Sequence, residues 1–126
     1  MTTAARRRAY ARGRRGERIA AWWLRLKGYR VIAQGFRSPV GEIDLVARRG
    51  AILAIVEVKH RDSLALAGEA VGGRQQRRVR RAAELFLQRR PELAHLQLRF
   101  DAVLLVPGRL PSHLKDAWNA DTMLPY

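Results

Sequence analysis

Two short alternating segments, Gly41 to Ala47 (GEIDLVA) and Val56 to Arg61 (VEVKHR), constrain this chain more than any other feature. Glu42 and Asp44 alternate with Ile43 and Leu45, and Glu57 and Lys59 alternate with Val56 and Val58. Period-two alternation is the pattern of a half-buried strand. Arg48, Arg49, Gly50 and Ala51 stand between the apolar runs. A two-residue loop at Gly50 and Ala51 puts glycine at the first central position of a type II′ hairpin turn. In that register Asp44 faces Glu57, Glu42 faces Lys59, Ile43 faces Val58 and Leu45 faces Val56, so one face is apolar and the other carries the charge. Moving the loop to Arg49 and Gly50 pairs Glu42 with Glu57 and leaves Asp44 diagonal to Glu57 on the same face. A slip by one residue would bury the charges and is disfavoured.

Like charges placed opposite one another destabilise a sheet, and close carboxylates resist joint ionisation unless a cation lies between them. A hard divalent ion, magnesium or manganese, removes that conflict. Magnesium takes a few carboxylates together with waters and phosphate oxygens, and the carbonyl of Val58 is a further candidate ligand beside Asp44 and Glu57. Lys59 would then orient or polarise an attacking water, or stabilise charge on a phosphorane-like centre. This is nuclease chemistry in outline. The same residues would also suit a plain surface hairpin in which Glu42 and Lys59 pair across the strands, a common and weak arrangement.

The rest of the composition points the same way. The chain has 126 residues, 48% of them hydrophobic, which suits one domain with a real core. A net charge of +14 favours a polyanionic partner, chiefly nucleic acid, but does not say which. Zero cysteine excludes disulfides and thiolate zinc sites. The longest apolar runs, AILAIV and AVLLV, are far too short to cross a membrane as helices. The expected compartment is the cytoplasm. Residues 1–15 are arginine-rich and acid-free, and we read them as a basic tail or frayed helix start that adds phosphate affinity.

The expected order is helix, three-strand meander, helix, strand and an irregular tail, with residues 16–126 forming a single domain. The first helix is expected from about Gly16 to Lys27, ending at Gly28, with Ile19, Trp23 and Leu26 as its buried stripe and Ala20 and Leu24 beside them. That assignment leaves no exposed apolar stripe to mark a dimer face. Tyr29 to Phe36 reads as the first strand. The second helix, about Arg74 to Arg90, turns Val79, Ala82, Ala83, Phe86 and Leu87 to the core and is stopped by Pro91. Arg74, Arg77, Arg78, Arg80 and Arg81 crowd its N-terminal half, where the helix dipole itself favours an anion. That placement suggests phosphate contact without sequence readout. Leu96 to Val106 reads as the last strand, and Asp101 within it calls for an arginine partner, with a catalytic role the less favoured alternative. His60, His95 and His113 lack metal-ligand spacing and read as solvated or locally bonded, with His60 at best a neighbour of the site.

GEIDLVA followed by VEVKHR, with Gly16 and Glu17 opening a helix and a basic helix containing Ala82 and Ala83, resembles the bacterial YraN-like family. The likeness extends to RFDAV (Arg99 to Val103) and WNA (Trp118 to Ala120). That family is assigned to the restriction-endonuclease-like superfamily and is closest to archaeal Holliday junction resolvases. The superfamily's site has an Asp, an ExK on the next strand and often a Glu from the preceding helix, which Asp44, Glu57, Lys59 and Glu17 match. The resemblance implies a restriction-endonuclease-like α/β core with a mixed sheet flanked by helices. It also implies metal-dependent cleavage of DNA, with branched DNA suggested by the resolvases, which act as symmetric dimers. Arg37 matches a family arginine. Gln75 stands where relatives usually carry a lysine, and Gly35 where they often carry an asparagine.

The expected phosphate-binding set is Arg37, Arg74, Gln75, Arg77, Arg78 and Arg81, and a homodimer is possible. Two rivals stand beside the enzyme: a non-catalytic nucleic-acid-binding module, and an assembly or ribosome-associated factor working through its basic tail. Asp44, Glu57 and Lys59 favour the enzyme, because carboxylates repel phosphate and serve no purpose in simple binding.

Overall fold

The computed structural model describes residues 3–60 and 73–117. Helix α1 (Thr3–Leu26) leads into β1 (Arg30–Ser38), β2 (Gly41–Arg49) and β3 (Ile52–His60). Helix α2 (Gly73–Arg89) and a short 3-10 turn at Pro91–Leu93 precede β4 (Gln97–Leu105) and β5 (Ser112–Leu114). The strands form one mixed sheet in the order β1-β2-β3-β4-β5, antiparallel throughout except between β3 and β4. A parallel pair needs a long crossover, and α2 lies within it. Among the described residues no helix is long and apolar enough to cross a membrane.

Two expectations change at the chain's ends. Helix α1 begins at Thr3 rather than near Gly16, because the alanine- and arginine-rich segment before Gly16 is made of strong helix formers. The segment after β4 contains β5, where Ser112, His113 and Leu114 pair with Leu104, Val103 and Ala102. Three residues carry too little alternation to announce a strand. The WNA segment lies outside the described residues.

The hairpin register is as expected, from Arg49↔Ile52 to Leu45↔Val56. Gly50 has φ +60, while Ala51 is not among the residues with positive φ, as a type II′ turn requires. The separation into one apolar and one charged face does not survive. Ile43 and Val46 pack with Leu53 and Ile55 beneath Val79, Ala82, Ala83 and Phe86 of α2. Leu45 and Ala47 pack with Ala54 and Val56 beneath Ala20, Ala21 and Leu24 of α1. Helices therefore cover both faces of the sheet, and its central strands must be apolar on both. Ile43 and Leu45, two residues apart, fall in opposite cores, so β2 changes face at Asp44. Gln34↔Leu45 and Phe36↔Ile43 put Gly35, at φ +67, across from that change.

The inward face of α1 also differs from expectation. Gly16, Ala20, Ala21 and Leu24 are buried and Trp23 is half-buried, whereas Ile19, Trp22 and Leu26 are 42%, 62% and 60% exposed. The helix has turned its small residues inward, which brings its backbone close to the sheet. An exposed apolar row that the sequence reading did not anticipate is left on its outer side.

Asp101 is completely buried on β4. Arg99 meets it with two hydrogen bonds of 2.9 and 2.8 Å, His113 Nε2 donates at 2.7 Å, and the Asp116 N–H donates at 2.9 Å. The expected arginine partner is present, and His113 is a buried clamp rather than a solvated residue. Lys27 at the end of α1 donates to His113 Nδ1, and Arg99 donates to Tyr29, so this cluster fastens β5 and the α1–β1 junction to β4. Burial alone would raise the Asp101 carboxyl, but the bonds from His113, Arg99 and Asp116 together hold it below the usual aspartate range. A carboxyl depressed on folding stabilises above its ordinary value of 3.8 and loses that contribution as pH falls through its folded value. Asp101→Ala should cost about 3–5 kcal/mol at neutral pH by leaving Arg99 half-buried without its counter-charge. Urea unfolding of both proteins at pH 7 and near pH 3 should show that gap narrowing on acidification.

Candidate functional site

The face change in β2 is what builds the site. Beyond Leu45↔Val56 the Val58 N–H donates to Asp44 Oδ2 at 2.8 Å, so a side chain takes a strand donor. Asp44 also shares a hydrogen bond with Glu57, and Lys59 Nζ lies 3.6 Å from Glu57 Oε1. The Glu57 and Lys59 side chains are only 11% and 15% exposed. Asp44, Glu57 and Lys59 therefore form one contiguous, largely dry cluster, as the alternating segments predicted.

Burial pushes the Asp44 carboxyl above the usual aspartate range, and Glu42 adds to the effect. The Val58 N–H, Lys59 and the bond with Glu57 oppose it. Glu17 reaches the same region from α1. Burial raises its carboxyl first and Asp44 next, while Arg14 and Arg37 work against both. Among the described residues no three His, Asp or Glu side chains converge on one point. Asp44 and Glu57 form the tight pair, with Glu17 a third carboxylate within electrostatic reach.

The predicted phosphate contacts divide into two regions. Arg37, near the end of β1, lines a cleft with Glu17. Arg77, Arg78 and Arg81 lie on α2, with Arg78 and Arg81 exposed and Arg77 half-buried. That turn of α2 sits hard against β2: a Cβ at Gly41 would come within 2.5 Å of the Arg78 carbonyl oxygen. The side chains of Arg74 and Gln75 lie outside the described residues.

Arg14, Arg18 and Gln34 join the region unannounced, and His60, read from the sequence as at best a neighbour of the site, lies beside it. His60 packs so closely on α1 that a Cβ at Gly16 would overlap its ring, which places the imidazole beside the residue preceding Glu17. Arg14, Arg18 and Gln34 line the cleft with Arg37. Arg14, Glu17 and Arg18 are spaced to share one face of a helix. That spacing is visible in the sequence, but a helix beginning at Gly16 leaves Arg14 outside it.

Comparison with other proteins bears on identity. The profile of the uncharacterised protein family UPF0102 matches residues 16–105. The chain belongs to that family. It is 53% identical over 115 residues to a UPF0102 protein of Chelativorans sp. (strain BNC1), covering 91% of this chain and 93% of the relative. It is 57% identical over 111 residues to a UPF0102 protein of Parvibaculum lavamentivorans, covering 88% and 84%. A UPF0102 protein of Paramagnetospirillum magneticum is 52% identical over 117 residues, covering 90% and 91%. The match begins at Gly16, so it takes in Glu17, Asp44, Glu57 and Lys59 but leaves out Arg14.

A carboxyl raised by folding binds more protons in the native state between its ordinary value of 3.8 and its folded value, so stability falls as pH rises through that window. Asp44→Asn keeps an acceptor for the Val58 N–H and removes the charge. It should melt above wild type at pH 7 in chelator, with the gap closing below pH 3.8. A divalent ion at 100 times its dissociation constant should then add about 2.7 kcal/mol to wild type and much less to the variant. Thermal melts with and without magnesium or manganese measure both effects.

Proposed function

We propose that this protein is a metal-dependent endonuclease that hydrolyses phosphodiester bonds of DNA, on a restriction-endonuclease-like core. One observation carries the reading: Asp44 and Glu57, two carboxyl groups in hydrogen-bond contact, lie in a largely buried cluster with Lys59. Two carboxyl groups brought together out of water resist joint ionisation, a conflict that a cation between them relieves. The donor set fits a hard divalent ion. Magnesium commonly uses one or two carboxylates and keeps waters and phosphate oxygens, so a protein need not bring three donors together.

Asp44 and Glu57 would hold magnesium or manganese, with the Val58 carbonyl as a further candidate and Glu17 serving a second ion or a bound water. When present, the ion would lower the pKa of a bound water and neutralise charge on the phosphate. Lys59 would orient the attacking water, whose oxygen forms a new bond to phosphorus. One P–O ester bond breaks as its leaving oxygen takes a proton, giving one phosphate end and one hydroxyl end. Arg37 and the α2 set of Arg74, Gln75, Arg77, Arg78 and Arg81 would hold flanking phosphates. Structured or branched DNA as the substrate and a homodimer as the working unit rest on family likeness, and the cytoplasm as the setting on the sequence reading.

The second reading is a non-catalytic nucleic-acid-binding module. The net charge of +14 and the exposed arginines of α2 would suffice for it. Labelled linear, flapped and four-way DNA should be incubated with magnesium or manganese at matched salt. Wild type should cut at least one of them, and Asp44→Ala should cut about 10²- to 10³-fold more slowly or worse while still binding. Tight, salt-sensitive binding without cutting would establish the binding module instead.

A further inference from the structure

Between α1 and β1 lies a cleft of about 120 Å³ lined by Arg14, Glu17, Arg18, Gln34, Gly35 and Arg37. Three arginines and a glutamine line it from two elements, and only Arg37 has been assigned to phosphate binding above. We propose that this cleft is a receptor for the terminal phosphate of a nucleic-acid strand, held by Arg14, Arg18 and Arg37.

Charge separates a terminal phosphate from an internal one. Three arginines against Glu17 leave the lining with a formal charge of +2. An internal phosphodiester carries one negative charge, whereas a phosphate monoester carries about −1.5 to −2 at pH 7. The monoester is the closer match. Arginine presents planar donor pairs suited to phosphate oxygens, and Gln34 adds a neutral donor. A compact cleft also suits a strand end that enters singly, since an internal phosphate must admit chain on both sides.

Placement ties the cleft to the candidate site. Glu17 lines it and its carboxyl is also raised by Asp44, so one residue borders both regions. A strand end seated against Arg14 and Arg18 would bring the adjoining nucleotides toward Asp44 and Glu57. Gly35, at φ +67, forms the wall beside Glu17, where a Cβ would stand 3.8 Å from the carboxylate. The inference rests on the nucleic-acid part of the proposed function and not on cleavage. Two sources would supply the same chemistry: the 5′-phosphate of an incoming strand, or a phosphate end left by hydrolysis.

Binding in chelator separates this claim from catalysis. An internally labelled single strand would be competed with otherwise identical strands bearing a 5′-phosphate, a 3′-phosphate or hydroxyl ends, and inorganic phosphate would be tested by thermal shift. Wild type should prefer one phosphorylated end about tenfold over the hydroxyl form, the scale of one charge-assisted hydrogen-bond set. The preferred end identifies the source. Arg14→Gln with Arg18→Gln should abolish both the preference and the phosphate-induced shift, while the charge-matched pair Arg25→Gln with Arg90→Gln should keep them. Equal affinity for all three strands, or a preference that survives in Arg14→Gln/Arg18→Gln, would overturn the proposal. Failure of wild type to cut DNA would leave this result standing.

Discussion

A sheet covered by helices on both faces has no polar side, and every charge within it must be accommodated individually. That constraint organises this protein. Ala20, Ala21 and Leu24 close one face, and Val79, Ala82, Ala83 and Phe86 close the other. Charged side chains inside the layers survive where hydrogen bonds meet them or where the strand pattern breaks. Asp101 is the first case, and Asp44 with Glu57 is the second.

The two aspartates are held in opposite electrostatic balance. Both are withdrawn from water. Asp101 is surrounded by Arg99, His113 and the Asp116 N–H, which overcome the cost of burial and hold its carboxyl low. Asp44 has the Val58 N–H, Lys59 and a bond to another carboxyl, and its burial is not fully offset, so its carboxyl is raised. The first is a closed structural clamp. The second is a carboxyl pair whose burial is left partly uncompensated, the kind of perturbed group from which a site can be proposed. Its position follows from the backbone, because the face change at Asp44 lets a carboxylate replace a strand partner for Val58.

Around this acidic centre the protein is strongly basic. Arg37 with Arg14 and Arg18 borders it from the α1 side, and Arg78 and Arg81 are displayed on α2, across the sheet. Charge of one sign thus surrounds a small patch of the other, and the long-range field is set by the arginines. Salt therefore acts mainly on the exposed arginines, since the Debye length is about 8 Å at physiological ionic strength, while the largely buried cluster is screened far less.

Much of this was legible in the residues. Alternation and a glycine turn narrowed the β2–β3 pairing to two registers that keep the same faces, since a one-residue slip alters the surroundings of every side chain at once, and the structure adopts the one with Gly50 and Ala51 in the loop. The sequence by itself also specified the second helix, its apolar face and the proximity of Asp44, Glu57 and Lys59. It did not specify the outcome at Ile43 and Leu45, since a period of two cannot reveal that a second helix covers the other face. Nor could it rotate α1 to bury Ala20 and Ala21 in preference to Ile19 and Leu26, a choice made by how closely a helix can approach a sheet. The pairing of His113 with Asp101, the seating of His60 on Gly16 and the convergence of Arg14 and Arg18 with Arg37 were decided only in three dimensions. Local pattern is set by neighbours along the chain, whereas burial and charge compensation depend on groups that only folding brings together.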